Sequence, residues 1–181
     1  MRDLSLHILD LAMNSIRAKA TLIEIEIIEQ IQENLLLIQL KDNGCGMTEK
    51  TLAQAKNPFF TTRTTRKVGL GLSLLTAMAN RCQGDISIDS KLGEGTNVII
   101  RLELNHIDRP PFGDIHNTLL SLIYLEPQLD FSYIHRNDFD EYSFETSVIR
   151  QILGEISLTN PEVMNWMKNE LKIGDFRFTS Y

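Results

Sequence analysis

Cysteine is scarce in this chain: Cys45 and Cys82 are the two among 181 residues, too few for a disulfide framework or a tetrahedral metal site. Both are expected as reduced thiols. Long apolar runs are also missing. The longest uncharged apolar stretch, Val68 to Asn80, falls short of the roughly 18 residues that a membrane span needs. Arg2, Asp3 and Asp10 interrupt any signal-peptide core, so the expectation is a cytoplasmic protein with no membrane partner. Internal repeats and low-complexity tracts are absent, and 43% hydrophobic with 23% charged residues excludes a disordered chain.

One stretch lacks acid altogether. No Asp or Glu occurs between Glu49 and Asp85, while Lys50, Lys56, Arg63, Arg66, Lys67 and Arg81 fall in that window. A locally positive surface in a chain of net charge -6 points to a small anionic ligand. A nucleic-acid partner would call for a basic domain overall. The acidic excess lies elsewhere: residues 1–105 carry 12 cationic and 12 anionic groups, and residues 106–181 carry 6 and 12.

What is present is an alternation of helical and strand patterns. Leu6, Leu9, Met13 and Ile16 recur at 3/4/3 spacing and predict a helix over 3–18. Strands are predicted over 22–29, where Ile23, Ile25 and Ile27 alternate with Glu24 and Glu26, and over 35–41. Helices over 49–56 and 69–81 and a hairpin from 86–90 and 97–104 follow. The run His106 to Pro111 breaks the pattern and reads as a linker. Beyond it come a helix over 114–124, two short strands around 130–135 and 142–146, and two closing helices. The last starts at Thr159 or Asn160, with Pro161 in its first turn.

Four local features carry chemistry. On the first helix His7, Asp10, Asn14 and Arg17 form a polar stripe. A carboxylate one turn before an amide suits a metal-bound phosphate and an attacking water or hydroxyl, although a solvated helix face would look the same. Asp42-Asn43-Gly44-Cys45-Gly46-Met47 follows a buried strand. Its glycines allow close approach to a flat ligand, and its aspartate can accept from an exocyclic amine. Asn57-Pro58-Phe59-Phe60 leads through Arg63, Arg66 and Lys67 into Gly69-Leu70-Gly71 at a helix start, where unpaired N–H groups favour an anion. Gly93-Glu94-Gly95-Thr96 is a hairpin loop ending in a hydroxyl. Taken singly, each of the last three is a common turn.

In this order the four features resemble the ATP-binding domain of the histidine-kinase, type II topoisomerase and mismatch-repair ATPase superfamily, also called GHKL or Bergerat-fold ATPases. The match is best to histidine kinases and covers residues 3 to about 105. The resemblance implies Mg-ATP as ligand and assigns Asn14 to the magnesium ion, with Arg17 at the basic position found in kinases. It places Asp42 on the adenine amino group, with Gly44 and Gly46 in the first glycine box. Pro58, Phe59 and Phe60 match the phenylalanine box, Gly69 and Gly71 the second glycine box, and Gly95 with Thr96 the last box near adenine. The start near His7 to Asp10 and the linker are similar to those of small stand-alone bacterial ATP-binding proteins. The implied fold is a two-layer α/β sandwich, a mixed sheet with helices on one face. The expected division is 1–105 as ATP-binding domain, 106–113 as linker and 114–181 as a small acidic α+β domain.

Three departures bear on mechanism. Lys67 replaces a glycine two residues before Gly69, and the segment between Phe60 and Gly69 is short. The ATP lid is therefore expected to be small and basic, with Arg63, Arg66 or Lys67 reaching the phosphates. Only 13 residues precede Asn14, so the expectation is a protein without a phosphoacceptor hairpin ahead of this domain. Asp10 stands where ATP-hydrolysing relatives place a glutamate, so it can act as general base through a water or orient a substrate hydroxyl. The expected function is a stand-alone regulatory protein that phosphorylates a protein partner or hydrolyses ATP slowly, or else a non-enzymatic ATP-sensing module. For residues 106–181 the sequence leaves open a partner-docking surface or an internal role, packing on the sheet or covering the nucleotide.

Overall fold

The computed structural model describes residues 3–55, 70–176 and 178. Its first helix, α1 (Leu4–Arg17), begins where the Asp3 carboxylate accepts from the Leu6 N–H at 3.0 Å, an acidic N-cap. The strands β1 (Leu22–Gln30) and β2 (Leu35–Asp42) form an antiparallel hairpin. Its turn includes Asn34 in the left-handed region (φ 53°), which asparagine tolerates better than most side chains. The short α2 (Glu49–Ala55) and the longer α3 (Leu70–Arg81) precede a second hairpin, β3 (Asp85–Lys91) and β4 (Gly95–Glu103). The chain closes with α4 (Ile115–Leu125), β5 (Asp130–Asn137), β6 (Glu141–Glu145), α5 (Thr146–Leu153) and α6 (Pro161–Phe176). Asn160 caps α6, its side-chain oxygen accepting from the Glu162 N–H at 2.9 Å.

All six strands belong to one mixed sheet in the order β3-β4-β2-β1-β5-β6. β5 runs parallel to β1, pairing Leu22–Glu29 with Asp130–Asn137, and the other pairs are antiparallel. The link at 106–113 thus joins two parts of a single sheet, and β1 is a central strand with both edges paired. Strand alternation gives the sheet one apolar face, with Ile23, Ile25 and Ile27 beside Leu36, Ile38 and Leu40 on one side and Phe131 and Tyr133 on the other. The helices α1, α3 and α4 pack together over the core. The opposite face carries polar cross-strand pairs, Lys41–Glu24 at 2.9 Å, Arg136–Glu26 at 2.8 Å and Gln39–Asn97 at 2.9 Å. Such solvated pairs add little stability but keep the face wet.

The C-terminal part also fastens the first helix. The Leu4 and Ser5 N–H groups, which a helix start leaves without intrahelical partners, donate to the Pro111 and Phe112 carbonyls at 2.9 and 2.8 Å. On the core face of the sheet, buried His135 meets Glu29 with 2.7 Å between Nε2 and Oε1. Phe178 stacks on the same imidazole at 4.0 Å between ring centroids, which ties the chain end to β5. Glu29 shares the parity of Ile23, Ile25 and Ile27, so alternation alone places it on the core face.

Candidate functional site

Asp42 is the last residue of β2 and is buried. Two donors fix its carboxylate: the Ser15 hydroxyl at 2.6 Å from Oδ2 and the Gly44 N–H at 2.9 Å from Oδ1. Each oxygen retains a further lone pair for a ligand donor. Ser15 was not singled out from sequence, because a serine on the apolar side of a helix looks like a small packing residue. Its position immediately after Asn14 was the one available signal. Thr96 lies directly opposite Asp42 across the β2–β4 ladder, so both side chains point to the same face of the sheet.

The loop after Asp42 is held closely against the β3–β4 hairpin. The Cys45 N–H donates to the Ala18 carbonyl at 2.8 Å, and the Cys45 carbonyl accepts from the Gly93 N–H at 2.8 Å. The Ser90 hydroxyl accepts from the Met47 N–H at 2.9 Å and lies 2.9 Å from the Thr96 hydroxyl. Gly95 has φ 107°, and a Cβ on it would stand 1.9 Å from the Asp42 carbonyl oxygen. Neither the conformation nor the space accommodates a side chain. Gly46 (φ 62°) is equally tight against the Lys91 carbonyl, and a Cβ on Gly44 would stand 2.8 Å from Ala18. Backbone contact therefore joins the first and last glycine boxes around Asp42.

On α1 the stripe divides by burial. His7 is buried, Asp10 half-buried, and Asn14 and Arg17 exposed. Gly71, in the first turn of α3, faces Asp10 so closely that a Cβ would stand 2.1 Å from Oδ2. Only a missing side chain lets the carboxylate occupy that place beside the helix start. Arg17 Nη1 donates to the Asn14 amide oxygen at 2.7 Å. The magnesium ion implied by the resemblance can be tested on these atoms. Asn14 Oδ1 already faces a cationic group, and the amide and the Asp10 carboxylate offer hard oxygen donors one helical turn apart, the ligand type magnesium prefers. Among the described residues no three His, Cys, Asp or Glu side chains cluster as a metal cage. A cation held by one or two protein oxygens and by phosphates needs none. The residues fit.

The structure thus sets Asp10 against Gly71 and Arg17 against Asn14 one turn further along α1, and gathers Asp42, Gly44, Gly46, Gly95 and Thr96 at the end of β2, joined to α1 through Ser15. Leu70 is the first residue of α3. Pro58, Phe59, Phe60, Arg63, Arg66, Lys67 and Gly69 lie outside the described residues. No described helix is long and apolar enough to cross a membrane.

Burial pushes the His7 imidazole below its ordinary value of 6.5, against the opposing pull of Asp10 and Asp3. Its Nδ1 is buried without a hydrogen-bond partner, so the fold holds the ring neutral. The unfolded chain takes up a proton as pH falls through about 6.5 and the folded chain resists it, so stability drops with acidification in that range. His7→Leu removes this component. Urea midpoints at pH 7.5 and 5.5 are expected to fall further for the wild type than for the variant.

Residues 2–106 match the family described as histidine kinase-, DNA gyrase B-, and HSP90-like ATPase, and the chain belongs to that family. Sporulation kinase E of Bacillus subtilis is 41% identical over 69 residues, 38% of this chain and 9% of that protein. The C4-dicarboxylate transport sensor protein DctB of Pseudomonas aeruginosa is 31% identical over 105 residues, 58% of this chain and 17% of that protein. The chain therefore spans under a fifth of the length of these relatives. The Aquifex aeolicus MutL ATPase domain complexed with ADP is 13% identical with a TM-score of 0.51, over 93% of this chain and 88% of that one. At that identity the likeness is one of fold. The family match and these relatives define an ATP-binding GHKL domain of the histidine-kinase type.

Proposed function

We propose that the protein binds Mg-ATP and uses it as a regulator, passing the γ-phosphoryl group to a protein partner or releasing it slowly to water. The observation that carries this reading is the close approach of Asp10 to Gly71 with Asn14 one turn further along α1. That arrangement puts a carboxylate, an amide and a helix start together. In the proposal Asp42 accepts from the adenine amine while Ser15 and Gly44 hold its carboxylate in place. The backbone N–H groups opening α3 face the phosphates, and Asn14 would hold the magnesium ion. When bound, the ion offsets the charge of the β- and γ-phosphates. Asp10 then takes the proton from an attacking water or a partner's hydroxyl, or orients that nucleophile for attack.

Asp10→Asn separates turnover from binding. It is expected to keep Mg-ATP affinity within about threefold and to lower phosphate release or phosphoprotein formation by about a hundredfold, the usual worth of a general base. Phosphate release in the isolated protein, and radiolabel transfer with candidate partners, check this. A wild type that binds Mg-ATP and yields neither product makes the protein an ATP-sensing module acting through protein contacts.

A further inference from the structure

We propose that Arg17 is a placeholder for the divalent cation on Asn14, so that cation and nucleotide enter the site as a coupled pair. The inference rests on the Mg-ATP reading above. Its observation is the 2.7 Å bond from Arg17 Nη1 to Asn14 Oδ1, on an exposed part of α1 where residues three apart share a face. A guanidinium has no acceptor and does not lose its proton in proteins. The direction of this bond is therefore fixed, and the amide oxygen that would ligate magnesium is turned toward a permanent positive charge.

A dication reaching for that oxygen meets the guanidinium at close range. Like charges at such separation repel, and the guanidinium holds one of the two lone-pair directions of that oxygen. A bare cation must displace Arg17 into water and offers it nothing in exchange. A cation arriving with a triphosphate brings excess negative charge, and the released fork finds phosphate oxygens that match its geometry. Displacement is thus offset only when the nucleotide is present. The site stays closed to the free cation, and nucleotide and cation raise each other's affinity by the same factor. Arg17 acts here through Asn14 and is a positioning residue for the metal.

The test uses Mn2+, followed by electron paramagnetic resonance of the free ion, with the 181-residue chain. Without nucleotide, Arg17→Gln is expected to bind Mn2+ at least tenfold more tightly than the wild type, and Arg17→Lys to restore most of the wild-type weakness. With ADP present the two proteins are expected to converge, so the coupling factor between Mn2+ and ADP shrinks at least tenfold in Arg17→Gln. Lys19→Gln removes an equal charge from an exposed neighbour and is expected to leave Mn2+ affinity unchanged. Equal affinity of Arg17→Gln and wild type for Mn2+ alone, alongside normal Mn-ADP binding, overturns the placeholder. An equal gain in Lys19→Gln overturns it too, since the effect is then one of net charge. Failure of the wild type to bind Mn-ADP at all overturns the nucleotide-site reading and this proposal with it.

Discussion

Replacing Asp42 by asparagine is expected to weaken Mg-ATP binding roughly thirty- to a hundredfold while the protein remains folded. Both carboxylate oxygens already accept, from the Ser15 hydroxyl at 2.6 Å and the Gly44 N–H at 2.9 Å. In the asparagine variant the Gly44 N–H keeps the remaining oxygen, and the amide NH2 takes the other place, donating to a Ser15 hydroxyl that rotates to accept. The internal network is therefore satisfied. What fails is the ligand contact, because an adenine amine then faces a donor where it needs an acceptor. Losing a hydrogen bond to a charged group and leaving donors opposed costs about 2–3 kcal/mol, and each 1.4 kcal/mol is tenfold. Isothermal titration gives the affinity, and an unchanged far-UV spectrum with a nearly unchanged melting point verifies the fold. A variant that binds as tightly as the wild type removes Asp42 from the adenine pocket.

Ending the chain at Asn105 is expected to abolish folding of the ATP-binding segment. β5 covers one whole edge of β1, from Leu22 to Glu29, so its loss leaves that edge unpaired and open to aggregation. Leu119, Ile123, Phe131 and Tyr133, all essentially solvent-free, leave the core. Burying a side chain of this kind contributes roughly 1.5–3 kcal/mol, so these four alone approach the 5–15 kcal/mol by which domains are typically stable. The α1 start also loses the Pro111 and Phe112 carbonyls that accept from Leu4 and Ser5, on the helix that carries Asp10 and Asn14. A thermal melt by circular dichroism is expected to show no cooperative transition for residues 1–105. A native-like melt would make residues 106–181 a dispensable attachment.

The extents of the elements were legible because their patterns are local. The alternation of Ile23, Ile25 and Ile27 and the 3/4/3 stripe on α1 each predict an element within a residue or two of its observed ends. Asp42 was legible as a strand-end aspartate before two glycines, and its burial agrees with that reading. The pairing of β5 with β1 was not legible. A parallel pair more than a hundred residues apart leaves no turn signature, and either strand would read the same on an edge or in the middle. For residues 106–181 packing against the sheet had remained an open alternative to a docking surface, and β5 and β6 do extend that sheet. Ser15 escaped notice for a related reason. Its partner Asp42 is 27 residues away, and nothing in the helix around it marks a hydroxyl as the partner of a distant carboxylate. The Arg17 to Asn14 spacing was visible as a stripe, but the direction in which the guanidinium turns depends on side-chain geometry.

A nucleotide pocket built on Asp42 is expected to read an exocyclic amine. Titration of the 181-residue chain with Mg-ATP and with Mg-ITP, which carries an oxygen where adenine has its amine, isolates that contact. Saturable one-to-one binding of ATP, with ITP weaker by at least tenfold, is the predicted result. Equal affinity for the two nucleotides, or no saturable binding of ATP, contradicts it.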